Sequence, residues 1–152
     1  APPPKQELLQ NFAGAPKPNA YALVRADKAS GNALFLDWGN YRRDRLEKNI
    51  VEALTLWVLA DDPKIEYRRG LIKHASVEID CKDKVMRIVG AQTFGRGLTP
   101  EFESSTAPWL WLPAAGSPLR EDLIKAACKG RQPKNTLATM ADAVAAAATG
   151  KR

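Results

Sequence analysis

Few residues in this chain could do chemistry unaided, and their spacing limits each of them. The one histidine is His74, in LIKHASVEID. A metal centre wants several His, Cys, Asp or Glu ligands at set spacings, and no such spacing surrounds it. Its position in an alternating run predicts a residue on the outer face of a strand. Cys81 and Cys128 are the only cysteines. Either could act as a nucleophile with the histidine only as a free thiol, because a bridged cysteine cannot attack. Asp37, Asp61, Asp62, Asp80 and Asp83 would serve hydrolysis only if the fold brought two carboxyls together. Asp61-Asp62-Pro63 reads first as a strand stop, and Asp83 as a turn residue. The GRG at Gly95–Gly97 is too short to cradle phosphate and fits a bulge or turn. There is no P-loop and no dinucleotide fingerprint. These residues point away from an enzyme, a metal site and a cofactor.

Binding residues are better represented. YRRDR supplies Arg42, Arg43 and Arg45, and EYRRG supplies Arg68 and Arg69 beside Tyr67. Arginine grips phosphate or sulfate and stacks on flat groups, so these five are candidate anion- or partner-binding residues. The plainer role for the same charges is to keep strand ends solvated and safe from edge pairing. Trp109 and Trp111, in WLWLP, fall on one side of a predicted strand. They fill a core or, left exposed, form an aromatic contact surface.

The elements that must position these residues are mostly strands. YALVRAD alternates as a strand, with Ala22, Val24 and Ala26 on one side. Ser30-Gly31-Asn32 makes a hairpin turn into ALFLDWGNYRR. NIVEALTLWVLAD is apolar almost throughout, so periodicity cannot separate strand from helix; Ile50, Val51, Thr55, Trp57 and Val58 favour a strand. In GLIKHASVEIDC, Val77, Ile79 and Cys81 share a face, CKDK turns, and VMRIVGAQTF returns. GRGLTPEFESSTAP reads as a polar loop and WLWLP as the last strand. Ser117 is a good N-cap, Pro118 fits the first helical position, and Gly130 stops a helix whose stripe is Leu119, Leu123, Ile124 and Ala127. The expected fold is α+β: a meander of five or six antiparallel strands with a C-terminal helix packed on it. Residues 1–19, with five prolines, are expected to form an extended arm with room for one helical turn around Glu7–Phe12. Residues 20–130 form the α+β domain. Residues 131–152 are a basic linker and an alanine-rich helical tail with little bulky apolar surface, and the sequence leaves open whether that helix docks, joins a partner or frays.

At 152 residues one domain with a real core is expected, and 45% hydrophobic residues suit it. No apolar run is long enough to cross a membrane as an integral segment. The net charge of +6 favours anionic partners. No nucleic-acid motif accompanies that charge, so a nucleic acid is not the expected partner. Ala1 followed by prolines fits a chain trimmed at that point, or one from which a signal peptide has been removed. Cys81 is predicted on the core face of a strand, and Cys128 on a helix over that face. Two buried free thiols are one outcome. The other, in an exported chain, is a bridge worth roughly 4 kcal/mol on the chain-entropy model, which requires an oxidising compartment.

The strand SVEIDC, the return KVMRIVGAQTFGRGL, the late tryptophan before PAAGSP, and LREDLIKAAC together resemble the surface-adhesin protein E family of Gram-negative bacteria. The resemblance spans about Tyr21 to Gly130. It implies a strand cysteine bridged to a helix cysteine, here Cys81 and Cys128. It also implies export to the periplasm or outer cell surface, no catalytic centre, and room for a homodimer. Better-known members bind host matrix and plasma proteins. The first expectation is therefore a non-enzymatic, adhesin-like protein holding a macromolecule, protein or anionic glycan, at the cell envelope. The alternative is an envelope structural or assembly factor that binds anionic glycan or other envelope components through its arginine-rich loops. A hydrolase is the weakest reading.

Overall fold

The computed structural model describes residues 18–59, 72–95, 100–104 and 110–148. The elements are β1 (Tyr21–Asp27), β2 (Asn32–Arg43), β3 (Ile50–Val58), β4 (Ile72–Asp80), β5 (Val85–Phe94), β6 (Pro100–Ser104), β7 (Leu112–Pro113), α1 (Pro118–Lys129) and α2 (Met140–Ala148). β1 to β6 form one antiparallel sheet in sequence order, and the short β7 pairs with β5. The α+β meander is as expected. Helix α1 touches β1, β2, β4 and β5, so the sheet curls around it. The proline-rich arm as far as residue 17 and the Asp61-Asp62-Pro63 stop lie outside the described residues.

Both faces of the sheet are covered, each by its own helix. On one face Leu34, Leu36, Val51, Ala53, Ala75, Val77, Ile79 and Met86 close around Leu123, Ile124 and Ala127 of α1. On the other, Ala33, Phe35, Leu56, Ile72 and Phe94 join Tyr21 and pack against Met140 and Ala143 of α2. Successive side chains of a strand point to opposite faces, so neighbours such as Leu34 and Phe35 feed different cores. That arrangement explains the nearly continuous apolar run of β3, since a strand covered on both sides over most of its length has little polar face to show.

Helix α1 forms as its sequence predicts. The Ser117 hydroxyl accepts from the Arg120 amide at 3.3 Å, Pro118 opens the helix, and Gly130 closes it at φ 71°, in the left-handed region. Arginines then clamp it. Arg25 of β1 bonds Asp122 at 2.9 Å, and Arg120 donates to the Pro113 carbonyl at 2.8 Å. Arg43 donates to the Cys128 carbonyl at 3.0 Å, where the helix dipole is negative. Cys81 and Cys128 are joined in a disulfide, Cα atoms 5.6 Å apart, fixing the helix end to the end of β4.

One open point is answered and three expectations need correcting. The alanine-rich helix, formed as far as Ala148, docks against β1, β2 and β3. Tyr21 and Leu137 exchange two backbone hydrogen bonds of 2.8 Å, Thr139 caps α2 through the Asp142 amide, and Met140 and Ala143 are buried. Small alanines let the helix approach the sheet closely, which replaces the missing bulk. The polar loop after β5 contains a strand, β6, paired with β5. Its proline stands first, where a missing amide is tolerated. The strand expected over WLWLP is only Leu112–Pro113. Lastly, His74 is not on the outer face: it is fully buried, because α2 and its neighbours convert that face into a second core.

One irregularity in β2 was also not expected. Register jumps from Asp37↔Leu54 to Tyr41↔Ala53, so Trp38, Gly39 and Asn40 bulge out of the ladder. Asp37, fully buried, holds the bulge together. Its carboxylate accepts from the Asn19 side chain (2.6 Å), the Ala20 amide (2.8 Å), the Gly39 amide (3.0 Å) and the Asn40 side chain (3.0 Å). A Cβ at Gly39 would collide with the Pro18 carbonyl, so only glycine fits there. The bulge turns Trp38 and Tyr41 to the same side, where their rings meet at 4.7 Å and the Tyr41 hydroxyl donates to the Ala127 carbonyl at 2.7 Å.

Candidate functional site

The antiparallel order brings three connections to one end of the sheet: the β2–β3 loop, the β4–β5 turn and β7. Ile50 pairs with Asp80, and the Cys81 amide donates to the Asn49 carbonyl at 2.8 Å, so loop and turn abut. β7 pairs with Val85 and Met86, just past that turn. The disulfide lies at this end too. Asp44 ties the β2–β3 loop by accepting from the Leu46 and Glu47 amides at 2.8 and 2.9 Å. Those two bonds hold the Asp44 carboxyl below its ordinary pKa. Asp80 orders the turn in the same way, accepting from Lys82 and Asp83.

These short connections leave apolar side chains in solvent. Leu46, at the tip of the β2–β3 loop, is 94% exposed; Leu110, just before β7, is 66% exposed. Exposed Arg45, Lys48 and Lys82 share their end of the sheet. Trp111 stands next to Leu110, half-buried, with the Arg87 guanidinium 4.3 Å from its ring centroid. Arg87 also bonds Glu78 across the β4–β5 pair at 2.8 Å. Glu78 faces Glu52 across β3–β4, and Glu52 bonds Arg42 across β2–β3 at 2.7 Å. The result is one row across four strands, Arg42, Glu52, Glu78 and Arg87, ending on Trp111. Like charges directly opposite each other cost stability, so the outer arginines offset the central glutamates.

The arginines singled out in the sequence do not act as one group. Arg42 belongs to this row. Arg43 points to the opposite face, donating to the Lys48 and Cys128 carbonyls. Arg45 is exposed on the loop. Arg68, Arg69 and Trp109 lie outside the described residues. Sequence reading passed over Glu52, Glu78 and Arg87 as a group, because only the pairing of β2, β3, β4 and β5 brings them into one row. It passed over Leu46 and Leu110 because a lone apolar residue in a loop carries no periodicity.

Away from this end, His74 sits with its Nε2 3.3 Å from the Tyr21 hydroxyl, their rings edge-on. Burial, and then the nearby Asp37 charge, push the Tyr21 phenol well above its ordinary pKa. This pair is part of the second core. Among the described residues no group of three or more His, Cys, Asp or Glu side chains could hold a metal, and no helix is long and apolar enough to cross a membrane. No family model, curated protein or solved structure matches this chain. Its function is therefore read from its own residues.

Proposed function

We propose that this is an exported, non-enzymatic binding protein of a Gram-negative envelope, adhesin-like, which holds a macromolecular ligand with the disulfide end of its sheet. One observation carries the reading: the connections that meet this end of the sheet and the adjoining β7 segment expose Leu46 and Leu110 and carry the arginine-capped Trp111 and the exposed cations Arg45, Lys48 and Lys82. Apolar anchors within a polar, cationic rim are what a protein contact surface requires. Export is supported by the disulfide, which needs an oxidising compartment to form and persist. The resemblance to the protein E family supports both parts.

An envelope assembly factor that grips anionic glycan through arginines is the second reading. Arg42 and Arg43 already bond Glu52 and backbone carbonyls, which leaves Arg45 with the neighbouring lysines to serve it. Salt separates the two. The oxidised protein is passed over immobilised laminin, vitronectin, heparin and envelope extract at low and high salt. Binding to a matrix protein that survives high salt and is weakened about tenfold or more by Leu46→Ser with Leu110→Ser supports the first reading. Capture by heparin alone, lost in high salt and indifferent to those substitutions, overturns it in favour of the second.

A further inference from the structure

A cleft of ≈ 480 Å³ runs beside the disulfide, lined by Cys81, Lys84, Ala114, Ala115, Glu121, Ile124, Lys125 and Cys128. Glu121, Ile124, Lys125 and Cys128 follow each other at helical spacing, so one flank of α1 makes one wall. The β4–β5 turn and the segment after β7 make the other, held together where the Ala114 amide donates to the Lys84 carbonyl at 3.0 Å. The walls are mostly apolar: two alanines, Ile124 and the sulfurs of the bridge. The volume lies within the usual range for small-molecule sites.

Charge selects the occupant. Lys84 and Lys125 stand on opposite walls, and neither ammonium takes part in an ion pair or side-chain hydrogen bond among the described residues. Glu121 is likewise unpaired there. Two cations and one anion leave the cleft with a single net positive charge. Lys84 is the one non-glycine residue with positive φ, 55°, among those described. Its backbone is held in that conformation by the same turn that carries Cys81.

We infer that this cleft binds a small amphipathic monocarboxylate, its short aliphatic or aromatic body against Ala114, Ala115, Ile124 and the disulfide, and its carboxylate between Lys84 and Lys125. A hydrogen bond to a charged group is worth enough that losing both ammoniums weakens binding by about tenfold or more. Glu121 opposes a second negative charge, so a monoanion is preferred to a dianion. The cleft opens at the same end of the molecule as the macromolecular surface proposed above, but Leu46, Leu110 and Trp111, which anchor that surface, are not among its lining residues.

The test uses octanoate on the intact, oxidised protein, followed by amide chemical shifts. Saturable shifts at Ala115, Lys125 and their neighbours are expected. Octanol should shift them far less, and octyl phosphate should bind no more tightly than octanoate. Lys84→Gln with Lys125→Gln should weaken octanoate about tenfold. Ala115→Trp, at an exposed position, should fill the cleft and abolish binding, while Glu121→Gln should tighten it. The same spectra show whether each variant is folded. Absence of shifts at these amides, octanol matching octanoate, affinity untouched by the double lysine variant, or octyl phosphate binding more tightly would each overturn the assignment. Loss of matrix binding on Leu46→Ser with Leu110→Ser bears on the surface alone, so the two ideas fail separately.

Discussion

Asp37 is the charged residue on which the β2 bulge is built. It is fully buried, and its nearest partners are amide donors rather than a basic side chain. Such a carboxylate is held by the number of hydrogen bonds it accepts, four here, and those donors are left unsatisfied if it goes. Asp37→Asn keeps the shape but sets an NH₂ against amide donors. We expect it to cost about 2–3 kcal/mol in urea unfolding, with m unchanged. A cost within a few tenths of a kcal/mol would mean that the bulge at Trp38–Asn40 is held by packing instead. The Tyr21 phenol follows from the same buried region. Its raised pKa means that its folded-state preference is fully present below the unfolded value near 10 and is lost as pH rises beyond it.

Helix α1 shows how several weak devices fix one element. Ser117, Pro118 and Gly130 set its ends, Arg25, Arg43 and Arg120 clamp it, and Leu123, Ile124 and Ala127 bury its inner face. Gly130 is the position least able to change, because its φ of 71° is strained for any side chain. A Cβ there would also lie 3.3 Å from the Tyr41 hydroxyl. Gly130→Ala should lower stability by about 1 kcal/mol, read as a fall in Tm of several degrees. An unchanged Tm would show that the disulfide alone fixes this end of the helix. Helix α2 differs in kind: it has a Thr139 cap, but only Met140 and Val144 as larger side chains, with Leu137 just ahead of it. It holds because Tyr21 bonds the backbone of Leu137 and because alanines allow a close approach.

For the whole molecule the disulfide is the covalent cross-link, joining residues 47 apart in sequence. On the chain-entropy model it stabilises the folded state by about 4 kcal/mol, acting mainly on the unfolded chain. Replacing both cysteines by serine should therefore cut stability by about that amount while keeping the circular dichroism spectrum of the sheet. The same bridge shapes the cleft walls and the end of the sheet proposed as a contact surface. Its loss should thus weaken octanoate binding as well. If stability falls and the octanoate shifts persist unaltered, the cleft is organised without the bridge.

The sequence alone determined most of the local elements and the two ends of helix α1. Strands β1 to β5, the capped helix α1 and its stop at Gly130 were all legible, because propensity, alternation and capping are written in contiguous residues. The pairing of Cys81 with Cys128 was legible only as one of two outcomes, favoured once the resemblance was considered. Tertiary structure decided what depends on a second layer. His74 is buried because α2 returns to the face that alternation marks as solvent-facing. β6 exists because β5 offers it an edge. The cleft exists because α1 lies across the β4–β5 turn. The row from Arg42 to Trp111 joins strands distant in sequence. Alternation reports which residues share a face of one strand, but burial is a property of whatever packs on that face, and that partner can come from anywhere in the chain.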